Sequence, residues 1–294
     1  MQANKIIADE TYKELQAHGP PDYPIRFYYE DIFLFDFHCI EWHWHPELEL
    51  IYVEEGCFEA QIGNEVFTMK TGEALLINQN VIHRLEAQKH AIIPNAVFLP
   101  KLIAAEDSLV YRKYILPVLE ASVDYMHIRG ADPWEEACLR KIRLLFECPA
   151  EKEEISTTAA LMEIWKALYE HLPVREMSKT TDNTSLAQTR LRIMMSYIHQ
   201  QYKNEISLED IAKTVSLSKS SVLVIFRTYL HMSPIQYLIQ YRLKKAAEML
   251  RTTQTGIEKI AYNIGFQNIG YFCRKFKEVY SVTPGEYRKN EYLP

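Results

Sequence analysis

The chain has 294 residues, 48% of them hydrophobic, and a net charge of −6 at pH 7. This length predicts two domains, and no window approaches the roughly 18 apolar residues of a membrane-spanning helix. The charged N-terminus lacks the apolar stretch of a secretory signal, and the five scattered cysteines include no C-x-x-C pair. These features predict a cytoplasmic protein and favour reduced thiols over a disulfide framework.

Short strands are predicted from residue 23 to residue 105. Aromatic and β-branched residues fill the runs RFYYEDIFLFDFHCIEW and LELIYV, and apolar and polar residues alternate from Gly56 to Leu85. Turn signals at Gly56, Gly63-Asn64 and Gly72 separate these runs. The pattern predicts a small β-barrel or sandwich within residues 1–105.

A helical period replaces the strand pattern from about Asp107 to residue 175. The last of these helices carries an apolar stripe made of Leu161, Ile164, Trp165, Leu168 and Leu172. Such a stripe can form intramolecular core or a two-fold interface between copies of the chain. The polar segment 176–185 that follows predicts a linker.

The last 110 residues contain one helical pattern twice. Ile211-Ala212 recurs as Ile260-Ala261, 49 positions later, and Ser233-Pro234 recurs as Thr283-Pro284, 50 positions later. A repeated helix–turn–helix is typical of proteins that place two reader helices in successive major grooves of DNA. Residues 185–294 hold 16 Lys and Arg against 8 Asp and Glu, a net charge of +8, which is typical of phosphate-backbone binding.

The outward face of the second helix in each unit holds the candidate DNA-contacting residues. The first unit offers Ser220, Ser221, Leu223, Val224 and Arg227. The second unit offers Gln267, Asn268, Gly270, Cys273, Arg274 and Lys277. Gln, Asn and Arg can pair bidentately with base edges, so we expect more polar base readout from the second unit. Phosphate contact or plain solvation is an equal alternative for any one of these residues.

The densest site-like string is WHWHPELE, residues 42–49. His43, His45 and Glu49 lie at even spacing, so one strand face can present all three. With the later His83 they form the patterns H-x-H-x3-E-x6-G and G-x10-H, which resemble the two metal motifs of cupin barrels. Three imidazoles and a carboxylate suit a divalent transition metal such as Zn, Ni, Mn or Fe(II), and the same four side chains can instead bind a small organic effector.

Residues 206–288 resemble the DNA-binding domain of the AraC/XylS family of bacterial transcription regulators. The most specific match is IAYNIGFQNIGYFCRKFKEVYSVTPGEYR, which begins at Ile260. The chain departs from the family at Ser216, His231 and Ser281, where Gly is usual, and at Val224, where a polar or basic residue is common. The resemblance implies two units on adjacent major grooves of double-stranded promoter DNA, a cupin-like effector barrel, a homodimer formed by the helices after the barrel, and contact with RNA polymerase.

The expected fold is therefore α+β with two domains. The chain begins with a cupin-like barrel at 1–105, followed by dimerisation helices at 106–175 and a linker at 176–185. An all-α domain at 186–294 follows, in which a long helix joins the two helix–turn–helix units. The expected function is sequence-specific regulation of transcription under the control of a small molecule, with a sugar as one candidate. Alternatives are a metal-dependent cupin enzyme fused to a DNA-binding domain and a constitutive DNA-binding protein. No nucleophile triad or phosphate-binding Gly loop supports another enzyme class.

Overall fold

The first unit of the structure is built on two antiparallel β-sheets that share an apolar interior. The computed structural model describes residues 6–9, 12–63, 65–121, 123–147, 153–172 and 181–290. The chain divides into two units, residues 1–189 and 190–294. None of the helices in the described residues combines the length and the hydrophobicity that crossing a membrane requires.

The strands of the first unit follow one another with short turns. In chain order they are β1 (Ile25–Asp31), β2 (Cys39–His43), β3 (Leu48–Tyr52), β4 (Cys57–Ile62), β5 (Glu65–Lys70), β6 (Ala74–Ile77), β7 (His83–Glu86), β8 (Ile92–Phe98) and β9 (Tyr125–Ile128). One sheet has the order β1-β8-β3-β6-β9 and the other has the order β2-β7-β4-β5. Together they form the β-rich, cupin-like domain that the sequence predicts.

Alternation along the central strand β3 separates two apolar cores. Leu48 and Leu50 point to the outer face of the five-stranded sheet, where the helices pack. Ile51 points inward, into a second cluster to which both sheets contribute. Glu49 lies between the two leucines and therefore also faces the interior.

The helices of the first unit cover that outer face. A π-helical turn at Tyr111–Ile115 runs into α1 (Leu116–Leu119), and α2 (Pro133–Phe146) and α3 (Glu154–His171) follow. In α3 the predicted stripe is buried within the chain itself; its members Leu161, Ile164, Trp165 and Leu168 are at most 5% exposed. The stripe is therefore intramolecular core, one of the two alternatives that the sequence leaves open, and it belongs to one buried cluster with α1, α2 and the outer face of the sheet.

A correction concerns the segment after residue 105, for which the sequence predicts a helical region without strands. Residues 125–128 instead form β9, which pairs with β6 in the register Ala74↔Ile128 to Ile77↔Tyr125. Four residues are too few to show a period, and the pairing partner lies about fifty positions earlier in the chain. The sheet therefore extends beyond the predicted boundary of the barrel.

Seven helices follow over the described residues 181–290. They are α4 (Thr181–Gln201), α5 (Leu208–Thr214), α6 (Lys219–Leu230), α7 (Pro234–Thr252), α8 (Ile257–Asn263), α9 (Ile269–Tyr280) and α10 (Pro284–Asn290). Ser207 and Ser233 begin α5 and α7 with reciprocal capping boxes. Phe226, Phe272 and Phe276 are fully buried and form the aromatic core of the two helix–turn–helix units.

Helix α4 begins inside the segment 176–185, which the sequence predicts to be a linker. Residues 176–180 lie outside the described residues, and Thr181 starts the helix. Thr, Asp, Asn and Ser are favoured at helix N-termini as well as in loops, so composition alone does not separate the two.

Three non-glycine residues among the described residues of the second unit adopt the left-handed backbone conformation. Ser216, His231 and Ser281 have φ values of 53°, 53° and 61°. His231 and Ser281 are the C-caps of α6 and α9. These are the positions where the AraC/XylS family usually has Gly, so the fold keeps the turn geometry at a cost of about 1–2 kcal/mol for each non-glycine residue.

Candidate functional site

Four side chains predicted from the sequence come together in the interior of the first unit. His43 ends β2, His45 lies in the loop that follows, Glu49 is in β3 and His83 begins β7. All four are buried, and one ligand atom of each lies within 4.8 Å of the others. Cross-strand pairing places His43 opposite His83, and the even spacing along the chain brings His45 and Glu49 to the same interior face.

Backbone carbonyls fix the orientation of the three imidazole rings. His43 Nδ1 donates to the carbonyl of Glu41 at 2.8 Å, and His83 Nδ1 donates to the carbonyl of Val81 at 3.0 Å. His45 Nδ1 donates to the carbonyl of Glu47 at 3.2 Å. Each ring therefore keeps Nε2 as the nitrogen with a free lone pair. This is the usual arrangement around metal-ligating histidines.

The spacing of the ligand atoms fits a small metal ion. Glu49 Oε2 lies 3.4 Å from His45 Nε2 and 3.2 Å from His83 Nε2. Bonds of about 2.1 Å in a tetrahedral site place neighbouring ligands about 3.4 Å apart. His83 Nε2 is buried and makes no hydrogen bond of regular geometry within the described residues. The donor set thus suits a divalent transition metal, for which it offers three nitrogens and one carboxylate.

The protonation of the cluster also suits a cation. Burial raises the pKa of Glu49, but the adjacent imidazoles of His45 and His83 outweigh this effect and hold that pKa well below its usual value. Burial lowers the pKa of His43 well below its usual value, and the neighbouring His83 and His45 add to this effect. The ionised carboxylate of Glu49 and the neutral imidazole of His43 are the forms that bind metals.

The cluster borders a cavity of about 330 Å³. Polar side chains that the sequence analysis did not identify also line it, namely Glu14, Gln16, His18, Tyr28, Glu30 and Asn95. The first three lie on an N-terminal segment that is tied to the barrel by the backbone of Trp44, whose carbonyl accepts from Glu14 N at 2.9 Å. In β1, Tyr28 and Glu30 are polar at a spacing of two, which is the one local signal that could have identified them.

Glu30, which lines the cavity, makes the stability of the folded protein depend on pH. Burial raises the pKa of Glu30 from 4.5 to about 7, although Asn95 donates a hydrogen bond to it. Glu49 and Glu14 raise this pKa further, and His18 lowers it slightly. Because the folded protein binds the proton more tightly, stability contributed by Glu30 is present below pH 4.5 and is lost as the pH rises toward 7. We expect Glu30→Gln to stabilise the protein at pH 8 by on the order of 1–2 kcal/mol, allowing for partial solvent screening, and by less at pH 5.

Thermal unfolding of the full chain at both pH values measures this difference. Glu59→Gln is the matched control, because Glu59 is an exposed carboxylate on β4 and should change neither value. An equal effect of Glu30→Gln at pH 5 and pH 8 would contradict the assignment.

The predicted DNA-contacting residues lie on the exposed faces of α6 and α9. The exposed residues are Ser220, Val224, Arg227, Gln267, Asn268, Gly270, Arg274 and Lys277. Ser221, Leu223 and Cys273 are half-buried. The Arg274 guanidinium lies over the ring of Tyr271, 5.4 Å from its centroid. Both faces thus remain available to a double helix.

Asn268 has a structural task that the sequence analysis did not anticipate. It is the N-cap of α9, and its Oδ1 accepts a hydrogen bond from Tyr271 N at 2.8 Å. Bidentate pairing with adenine needs both the oxygen and the nitrogen of the amide. The cap takes one of the two lone pairs of this oxygen and fixes the amide against the first turn of α9, so Gln267 and Arg274 are the better candidates for base readout.

Comparison with known proteins finds both domains. A family model for a helix-turn-helix domain matches residues 211–290, and one for a cupin domain matches residues 39–93. The chain is similar to YdeC of Bacillus subtilis, an uncharacterized HTH-type transcriptional regulator, with 27% identity over 97% of this chain and 98% of that protein. It is also similar to the HTH-type transcriptional activator RhaR of Mannheimia succiniciproducens, with 23% identity over 84% of this chain and 86% of that protein.

Among solved structures, the chain is similar to a transcriptional regulator with an AraC-type DNA-binding domain from Chromobacterium violaceum. The two are 26% identical over 37% of this chain and 98% of that one, with a TM-score of 0.36.

Proposed function

This chain is an AraC-type DNA-binding transcription regulator with an N-terminal cupin domain, and from that premise we propose that a small molecule in the barrel controls its action on promoter DNA. The observation that carries the proposal is the cavity of about 330 Å³, which His43, His45 and Glu49 of the four-residue cluster line. A core that served only dimerisation would have no reason to hold buried polar groups around an open space, since unpaired polar groups cost stability.

Effector control predicts that a bound ligand changes the affinity of the full chain for DNA. The polar lining makes sugars the first class to screen. The experiment measures binding to duplexes selected from a random pool, with and without each ligand. His83→Ala should remove the ligand's effect and leave DNA affinity without ligand unchanged. Ligand binding that leaves both DNA affinity and transcription in vitro unchanged would contradict the proposal.

DNA binding by the full chain should depend strongly on salt. The charge of +8 on residues 185–294 and the exposed basic side chains of α6 and α9 are the physical reason. We expect a log–log plot of affinity against salt, measured by fluorescence anisotropy on a selected duplex, to have a slope of several units, at about 0.9 per phosphate neutralised. A slope near zero would contradict phosphate-backbone binding by this unit.

Arg274→Ala should relax base preference at one position of the selected site, at a cost of about 1–3 kcal/mol. The reason is the exposed position of Arg274 in the first half of the reader helix α9. Repeating the selection with the variant measures the preference. Lys289→Ala is the control, because it removes a positive charge from α10 and should leave base preference intact. A uniform loss on all duplexes would identify Arg274 as a phosphate contact.

A homodimer is also part of the proposal, but its contact cannot use the buried stripe of α3. Exposed apolar side chains elsewhere in the helical layer, such as Ile155 and Met162 on the opposite face of α3, are available to a second copy. Sedimentation equilibrium of the full chain tests the oligomeric state, and a monomer at micromolar concentration would contradict it. Contact with RNA polymerase is a further part of the proposal, tested by transcription in vitro.

A metal-dependent cupin enzyme joined to a DNA-binding domain is the second candidate. The observation that favours it is that the His–Glu ligand set borders an open cavity, where a substrate could reach a bound metal. Mass spectrometry of ligands incubated with metal-loaded protein separates the two candidates. Recovery of unchanged ligand supports sensing, and a converted product supports catalysis.

A further inference from the structure

The two reader helices of the second unit are equivalent residue by residue. Helices α6 and α9 each contain 12 residues and begin 50 positions apart, and the fully buried Phe226 and Phe276 keep the same offset. Val224 therefore occupies in the first helix–turn–helix the position that Arg274 occupies in the second. Each lies two positions before the buried Phe, so at about 100° per residue its side chain lies on the opposite, exposed face of the helix.

Val224 is the most exposed large apolar side chain among the described residues of the second unit. Its exposed fraction is 62%, and that of the next, Val279, is 51%. Single exposed apolar residues are common on protein surfaces, so exposure alone assigns no role to Val224. Its position does, because it lies in the second turn of α6, and the N-terminal part of a reader helix is the part that contacts base edges.

The surroundings of Val224 are complementary to DNA. Helix α6 contains Lys219 and Arg227 and neither Asp nor Glu. Arg227 is exposed and lies three positions after Val224, so the two side chains are neighbours on one face. A cation beside an apolar side chain, on a domain with a charge of +8, fits a phosphate next to a base edge better than it fits an apolar protein surface.

The polar side chains that precede Val224 offer little hydrogen bonding to a base. The hydroxyls of Ser218 and Ser221 lie 2.9 Å apart and bond to each other, and Ser218 Oγ also accepts from Ser221 N at 3.1 Å as the N-cap of α6. Ser220 is exposed, and Leu223 is half-buried and apolar. At the centre of this face the first helix–turn–helix therefore presents an apolar group, where the second presents a guanidinium.

The apolar side chain of Val224 suits one group on the major-groove edges of the bases, the C5-methyl of thymine. A valine side chain neither donates nor accepts a hydrogen bond. Against the amino group of cytosine or the acceptors of guanine it would displace water without replacing the hydrogen bonds, which is unfavourable. Against the thymine methyl, contact removes apolar surface of both partners from water, which is favourable.

We propose that Val224 is a specificity-determining residue, which contacts the C5-methyl group of one thymine and makes the first helix–turn–helix select a T·A pair at that position. The inference goes beyond effector control, because it concerns which DNA sequence is bound and needs no ligand in the barrel. It also gives the two equivalent positions different chemistry, with an apolar contact from Val224 and hydrogen bonds from Arg274.

The first test removes the thymine methyl group, because deoxyuridine lacks it and pairs with adenine in the same way. A duplex is selected from a random pool with the full chain, its thymines are replaced one at a time, and binding is measured by fluorescence anisotropy. We expect one replacement to weaken binding about four-fold, the factor that corresponds to about 0.8 kcal/mol for one buried carbon group at 1.4 kcal/mol per factor of ten. In Val224→Ser the same replacement should leave the affinity unchanged, because the methyl groups of the valine are gone.

The second test uses 5-methylcytosine, which separates the methyl contact from the other properties of a T·A pair. At the thymine position identified, wild-type protein should bind a duplex with 5-methylcytosine about four-fold more tightly than one with cytosine, and Val224→Ser should not distinguish the two. Val279→Ala is the control. It shortens an exposed valine in the last turn of α9 and should keep the full methyl effect.

Val224→Ser changes an exposed side chain, so it should fold normally, which circular dichroism checks. The proposal is overturned if no thymine shows a methyl effect, or if Val224→Ser retains that effect. It is also overturned if Val224→Ser lowers transcription in vitro while the methyl effect persists, since Val224 would then be a contact for another protein.

The outcomes distinguish this inference from the proposed function. A methyl effect that depends on Val224 supports the inference whether or not a small molecule changes DNA affinity. Ligand control of DNA affinity without that methyl effect supports the proposed function and overturns the inference.

Discussion

Phe276→Ala is expected to unfold the second helix–turn–helix unit and to abolish DNA binding. Phe276 is fully buried on α9, with the rings of Phe272, Tyr280 and Tyr287 at centroid distances of 5.7, 4.3 and 5.4 Å. Removing a buried aromatic ring leaves a cavity and costs about 3–5 kcal/mol. A domain of this size has only about 5–15 kcal/mol of stability, so the unit should lose its structure under mild denaturation. Urea unfolding followed by circular dichroism measures the cost.

Val279→Ala is the control on the same helix. Val279 is 51% exposed, so its truncation should change stability by no more than about 0.5 kcal/mol. Normal DNA binding by Phe276→Ala would show that the second helix–turn–helix unit is not needed for DNA binding. It would contradict the prediction that the two units occupy successive major grooves.

His45→Ala is expected to abolish metal binding by the barrel. His45 supplies one of three imidazole nitrogens, and its Nε2 lies 3.4 Å from the Glu49 carboxylate. Protein purified without a His tag should contain about one equivalent of a first-row transition metal by elemental analysis, and the variant should contain none. His90→Ala is the control, because its ring is exposed and does not belong to the cluster.

Wild-type protein without stoichiometric metal would contradict the metal assignment. The four side chains would then be effector contacts, and His83→Ala should still weaken ligand binding without changing the DNA affinity of the chain in the absence of ligand.

The His–Glu cluster could be predicted from the sequence because most of its geometry is local. Three of its members lie within seven residues, and strand alternation assigns them to one face. The turn that precedes β7 then brings His83 to the same face. In the second cupin-like motif, Gly72 to His83, Asn78-Gln79-Asn80 stands where cupins have Pro-x-Gly. Asn80 adopts φ 60°, and its backbone N–H donates to the carbonyl of His45 at 2.8 Å. Asn tolerates this conformation better than most residues, so the turn survives the substitution.

The rest of the cavity could not be predicted because long-range contacts create it. Glu14 and His18 reach the interior only because their segment is tied to Trp44, about thirty positions later. The apolar stripe of α3 was correctly located, but its period is the same whether a sheet or a second copy covers it. Strand β9 depends on β6 for its existence, so no local pattern predicted it.

For protein engineering, the alternation along β3 fixes what can be varied in the cavity. A shift of the β3 pairing register by one residue would direct the side chain of Glu49 into the apolar layer beneath α2 and α3 and that of Leu50 into the cavity. Insertions and deletions between His45 and Tyr52 should therefore destroy the site and the helical layer together. A library for new effectors should keep the length of this segment and vary only inward-facing positions.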